Sequence, residues 1–163
     1  MNHRTTLRTA LLAATALTAS FAISACSSDA SDAAKDGKPA LSVSDAFMPE
    51  PVTADMAGGF LVVKNGSGTA DKLTSVTSAV SGDITIHETK DQKMQQVASL
   101  DVPANGVLRL ERGGSHIMFM GLKSKPKVGD KVAVELHFEK ADPVKVELDV
   151  KERTYNSAAS SHH

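Results

Sequence analysis

The chain has one cysteine, no tryptophan and one tyrosine, and its aromatic content is only 4%. That single thiol, Cys26, lies near the start, so the part of the chain able to fold holds none. This excludes an internal disulfide, a thiolate metal centre and a cysteine nucleophile. It also excludes electron transfer through a blue-copper centre, which needs a thiolate beside two imidazoles. Charge of one sign is lacking too: 18 Lys and Arg balance 19 Asp and Glu, with no basic stripe, so nothing points to nucleic acid. Long apolar runs are missing beyond the first 25 residues, and no long segment carries a helical period. Glu88 and Glu111 are available as acids or bases, but no Ser/His/Asp set or paired carboxylates stand out, so an enzyme is not expected.

The ends of the chain read as processing signals and tethers. Arg4 and Arg8 precede an uncharged stretch that closes on Ile23-Ser24-Ala25-Cys26. A basic start, a modest apolar run and small residues at the end describe a secretory signal peptide over residues 1–25. Cys26 after two small residues resembles a bacterial lipobox, which implies cleavage before Cys26, its acylation, and a lipid anchor on the outer face of the cytoplasmic membrane. Residues 26–39 supply that cysteine and a flexible tether of Ser, Asp, Ala, Lys and Gly. Residues 154–163 are expected to form a disordered tail, with His162 and His163 at its end.

Residues 40–153 make about one domain, and it reads as all-β. Period-two alternation marks Leu41 to Ala46, Ile84 to His87, His116 to Met120, Val132 to Glu139 and Val144 to Lys151. Short apolar runs at Phe60 to Lys64, Leu73 to Ser78 and Val107 to Leu110 add further strands. Strands with one apolar and one polar face, closely spaced, predict an antiparallel β-sandwich.

The chemistry lies in His116-Ile117-Met118-Phe119-Met120. Ile117 and Phe119 share a core face. His116, Met118 and Met120 share the other, where Thr, Lys or Glu is usual. Imidazole with thioether suits a soft ion of low charge, which points to Cu(I). His116 and Met118 lie about 6.7 Å apart along a strand, two residue rises, so both reach one ion. His87 leaves its strand on the polar face, and the charged segment Glu88 to Lys93 reads as a loop ending at Met94. The candidate metal ligands are therefore His87, Met94, His116 and Met118. All four are neutral, so hard oxygen-seeking ions fit poorly. Met120 reads as cover for the core edge, with a third thioether as the alternative; Met48 and Met56 read as packing or loop residues, with an auxiliary donor as the alternative; and His137 reads as a solvated strand histidine.

At these residues the chain resembles the PCuAC family of bacterial extracytoplasmic copper chaperones. The motif of that family runs His, about ten residues, Met, about twenty-one residues, His-x-Met. Met94 and His116-Ile117-Met118, with 21 residues between, match its second part, whereas only six residues separate His87 from Met94. Thr89 stands where relatives often carry another Met. Gly114 to Leu122 is similar to the family's strand and exit turn. The resemblance implies a cupredoxin-like Greek-key sandwich and a monomer that binds Cu(I). Cu(II) is possible through the same histidines. Delivery would be to the CuA site of cytochrome c oxidase, directly or through a thiol-bearing copper protein. The competing reading is a lipid-anchored, metal-free ligand-binding or adhesion sandwich. Because the folded part has no thiolate, Cu(II) added to the protein should produce no intense blue colour; an intense visible band would show a thiolate centre.

Overall fold

Large apolar side chains at every second position commit a strand to one buried face, and the computed structural model, which describes residues 38–157, builds ten strands on that rule. They are β1 (Leu41–Pro49), β2 (Met56–Asn65), β3 (Asp71–Ser78), β4 (Asp83–Lys90), β5 (Lys93–Val97), β6 (Leu100–Val102), β7 (Val107–Leu110), β8 (His116–Met120), β9 (Lys131–Phe138) and β10 (Val144–Lys151). The path of paired strands runs β5-β4-β8-β2-β1-β10-β9-β3-β6, with β7 also on β2. The expected signal peptide, Cys26, nearly all of the tether, and His162 and His163 lie outside the described residues.

The inner faces meet in one core. Ile86, Ile117 and Phe119 come from the β4–β8 side, and Leu73, Val76, Val134, Leu136 and Leu148 from the β3–β9–β10 side. Strand β2 serves both halves: its first residues pair with β8 and its later ones with β7. Gly59 permits this closeness, since a Cβ there would stand 2.8 Å from the Phe119 ring. The result is a β-sandwich, as the alternation predicts, and of the cupredoxin-like kind that the resemblance implies.

Four details differ from the sequence expectation. The first and last strands pair in parallel, Phe47 with Asp149 and Met48 with Val150, so the sandwich is not wholly antiparallel. Glu88 to Lys93 is not a loop: β4 continues to Lys90, and Asp91 and Gln92, at φ of 50° and 62°, make the tight turn into β5. Two positive φ values in a two-residue turn match the right-handed twist of the strands they join. The segment before Phe60 is already strand from Met56. Tyr155, within the segment expected to be disordered, packs edge-on against Phe47 at 4.9 Å between ring centroids.

The buried polar residues Asn65, Asp71 and Ser81 are all hydrogen-bonded. Asp71, 3% exposed, accepts backbone N–H bonds from Lys72 (2.8 Å), Lys140 (2.9 Å) and Ala141 (2.9 Å). It thereby pins the β9–β10 turn to β3. Removing a carboxylate costs about 1–3 kcal/mol for each donor that water cannot then reach, and these three donors are only partly buried. Asp71→Ala should therefore lower the unfolding free energy by about 2–4 kcal/mol in a denaturant titration. A change below about 0.5 kcal/mol would show that water replaces the carboxylate freely.

Candidate metal site

The site is built by register. β8 pairs with β4 so that His116 stands opposite His87, Met118 opposite Thr85 and Met120 opposite Asp83. Directly opposed residues share a face. Burying Ile86 and Ile117 on the inner side therefore sends both histidines to the outer one. Their rings lie nearly parallel, 18° apart, with centroids 5.5 Å from each other.

Each imidazole is anchored through one nitrogen and open at the other. His116 Nδ1 bonds to the Gly114 carbonyl at 3.0 Å. A carbonyl only accepts, so Nδ1 carries the proton and Nε2 presents a lone pair. His87 Nε2 bonds to Thr85 Oγ1 at 3.0 Å. Its Nδ1 is buried and has no partner. With the proton on Nε2, that orphaned nitrogen also presents a lone pair. One ring nitrogen held by an oxygen and the other free is the arrangement of metal-ligating histidine. A buried acceptor without a donor is costly until something occupies it.

The surroundings of His87 favour its neutral form. Burial, and then the nearby His116, push the His87 pKa below the ordinary imidazole value. On the other flank of β8, Phe60 lies 6.3 Å from the His116 ring. Phe47 covers Phe60 at 5.1 Å, and the Arg112 guanidinium sits over the Phe60 ring at 5.7 Å. Arg112 also donates to the backbone carbonyls of Arg153 and Tyr155, which ties the end of the described chain to this wall.

Thioethers lie beside the imidazoles. Met118 follows His116 on the same face, and its partner across β2 is Gly58, which has no side chain to screen it. A cavity of about 470 Å³ is lined by Met56, Asp83, Thr85, His87, Gln96, Met118 and Met120. Among the described residues, no three His, Cys, Asp or Glu side chains gather closely enough to hold an ion. The protein sulfurs that line the cavity beside the two histidines are those of Met56, Met118 and Met120.

The structure brings His87, His116 and Met118 together and leaves Met94 apart. Met94 sits on β5 opposite Thr89, on the same face as the histidines but 56% exposed. It lies beyond the imidazole pair on the side away from Met118. The two methionines are two strands apart and separated by about 13 Å along the strand direction, so they do not converge in this conformation. Met120, read from sequence as core cover, instead lines the cavity, and so does Met56. The signal for Met120 was its shared parity with His116 and Met118. Met56 carried no such signal, because Gly58 and Gly59 break the strand pattern there. Met48 is fully buried, as expected for packing. His137 faces outward on β9 and bonds to Thr77.

The chain matches, over residues 41–150, the model of the family described as "Putative lipoprotein LpqE-like". The chain belongs to this LpqE-like family. A relative from Leifsonia xyli subsp. xyli, "Putative lipoprotein Lxx21020", is 40% identical over 103 residues, 60% of this chain. That match spans 61% of the relative's own length. Among solved structures, the apo PCuAC domain of PmoF2 superposes with a TM-score of 0.64 at 20% identity, covering 73% of this chain and 98% of that domain. The copper-bound PmoF2 domain gives 0.62 at 21% identity, over 69% of this chain and 92% of that one. Cu(I)-bound DR1885 from Deinococcus radiodurans gives 0.58 at 23% identity, over 74% and 81%. At these identities the likeness establishes a shared fold.

The depressed His87 pKa has a consequence for the metal-free protein. The unfolded imidazole titrates near about 6.5 and the folded one lower, so below that pH the unfolded state binds more protons. Stability is therefore lost as pH falls through about 6.5 towards the folded value. Denaturation midpoints measured from about pH 7.5 to 5 should drop more steeply for the wild type than for His87→Gln. Parallel curves would mean that His87 is as easily protonated in the fold as in the open chain.

Proposed function

We propose that this protein is an extracytoplasmic Cu(I)-binding metallochaperone. His87 Nδ1, His116 Nε2 and the Met118 thioether are its ligands. The observation that carries this reading is the facing imidazole pair, each ring fixed by an oxygen at one nitrogen and unpartnered at the other, beside a thioether on the same strand face. Three neutral soft donors satisfy Cu(I), whereas Zn²⁺ gains little from thioether and Ca²⁺ or Mg²⁺ nothing. Met94 would join only if the β4–β5 hairpin bent over the imidazoles. Cu(II) would use the histidines alone and bind more weakly.

The ligand set favours carriage over catalysis. No thiolate locks the ion in place, so an acceptor offering thiolates draws it off downhill. Such an acceptor would be the CuA subunit of cytochrome c oxidase or a thiol-bearing copper protein. Thioethers also escape the disulfide formation that threatens free thiols outside the cytoplasm. The lipoprotein naming of the family and the Cys26 sequence support a chain anchored by lipid on the outer face of the cytoplasmic membrane, presenting the domain on its tether.

Titration of Cu(I) under reductant against a competing chelator tests the site. The wild type should bind one equivalent, and His116→Ala/Met118→Ala should lose more than about a hundredfold in affinity, beyond the 10–100-fold typical of losing an outer partner alone. Thr85→Val, which frees His87 Nε2, should lose about 10–100-fold. Affinity should also fall below about pH 6 as protons compete for the imidazoles. A wild type that ignores Cu(I) would leave a metal-free ligand-binding or adhesion sandwich.

A further inference from the structure

The cavity beside the histidines holds more sulfur than the ligand set uses. Met120 lies one residue pair beyond Met118 on β8, and Met56, the first residue of β2, stands directly opposite it. All three side chains line the same cavity. Opposed residues of an antiparallel pair have α-carbons about 4.5–5.5 Å apart. Met118 and Met120 are separated by about 6.7 Å. Met56 and Met118 are diagonal neighbours at about 7–8 Å. These spacings let three flexible side chains turn their sulfurs to one point. Met56 is 52% exposed, an unusual placement for a large apolar side chain beside a cavity of polar and sulfur-bearing residues.

We infer that Met56, Met118 and Met120 form a separate all-thioether docking position for a soft monovalent cation, Cu(I) or Ag(I), from which the ion passes to the imidazole pair. Three thioethers with no thiolate beside them select this ion class. Asp83, opposite Met120, is the carboxylate residue of the cavity lining, and an acidic side chain at its lip draws a cation inward. Met118 belongs to both positions. The ion therefore shifts along the strand by exchanging two thioethers for two imidazoles without leaving Met118. The half-exposed Met56 end is the entrance, and the anchored histidines are the end of the path. The transfer direction rests on the Cu(I)-carrier reading; the thioether position does not.

The full chain of the variant His87→Ala/His116→Ala, labelled with ¹³C at the methionine methyls, isolates the position. One equivalent of Ag(I), a closed-shell stand-in for Cu(I), should shift the methyl signals of Met56, Met118 and Met120 together. Met94 should stay in place, and the buried Met48 should keep its wild-type shift as the report of intact folding. Adding Met56→Leu/Met120→Leu should abolish the Met118 shift. Movement of Met118 alone, or of none of the three, would overturn the thioether position. So would a Met118 shift that survives the added substitutions. Failure of the wild type to compete for Cu(I) would remove the carrier reading instead, while the Ag(I) shifts would still decide the thioether position.

Discussion

The pairing of β4 with β8 at a single register is the constraint on which the rest depends. A strand has a period of two, so a slip of one residue would turn every side chain to the opposite face. Here that would drive imidazole and thioether into the core and leave Ile117 and Phe119 in water. Each such side chain contributes about 1.5–3 kcal/mol when fully buried. Both are completely buried in the structure, and Ile86 nearly so. The donor side chains contribute no comparable packing. The core thus sets where the donors stand, and the donors are held in place by apolar contacts they do not make.

The same register sets the electrostatics. Burial at His87, and then the imidazole of His116 5.5 Å away, disfavour a proton on the His87 ring. A neutral pair with one free lone pair each is the state a soft cation needs. The aromatic row beyond His116, from Phe60 through Phe47 to Tyr155, keeps water from one flank of the site, while the methionine cavity leaves the other flank open. The donor set and the access route thus follow from how β8 is flanked: histidine-bearing β4 on one side, and a glycine of β2 on the other.

Much of this was legible in the sequence wherever alternation was strong. Ile84 to His87, His116 to Met120 and the two last strands declared their inner and outer faces, and so placed His87, His116 and Met118 on the surface side. Other elements left no such trace. Lys93 to Val97 is an edge strand with four of its five residues exposed, so no apolar period betrays it. The position of Met94 followed from that omission. Leu100–Val102 is too short to show a pattern. The glycines after Met56 hid the start of β2. Alternation also carries no direction, so the parallel pairing of β1 with β10 could not be read from it. The docking of Tyr155 depends on a pocket made by distant residues, and nothing in its own polar neighbourhood points to it.

β10 occupies a particular place in the order of strands. It is the last to leave the ribosome, and it lies between β1 and β9. Without it the ladder separates into two pieces, β5-β4-β8-β2-β1 and β9-β3-β6. The seam that joins the ligand-bearing half to the other half is therefore made by residues 144–151, paired with a first strand some hundred positions earlier. Contacts of such long sequence separation form slowly, because chain entropy is lost before they reward it. A growing chain of this topology stays open until its final strand is available. The face that carries His87 and His116 is therefore completed late, when residues 144–151 join the two pieces of the ladder.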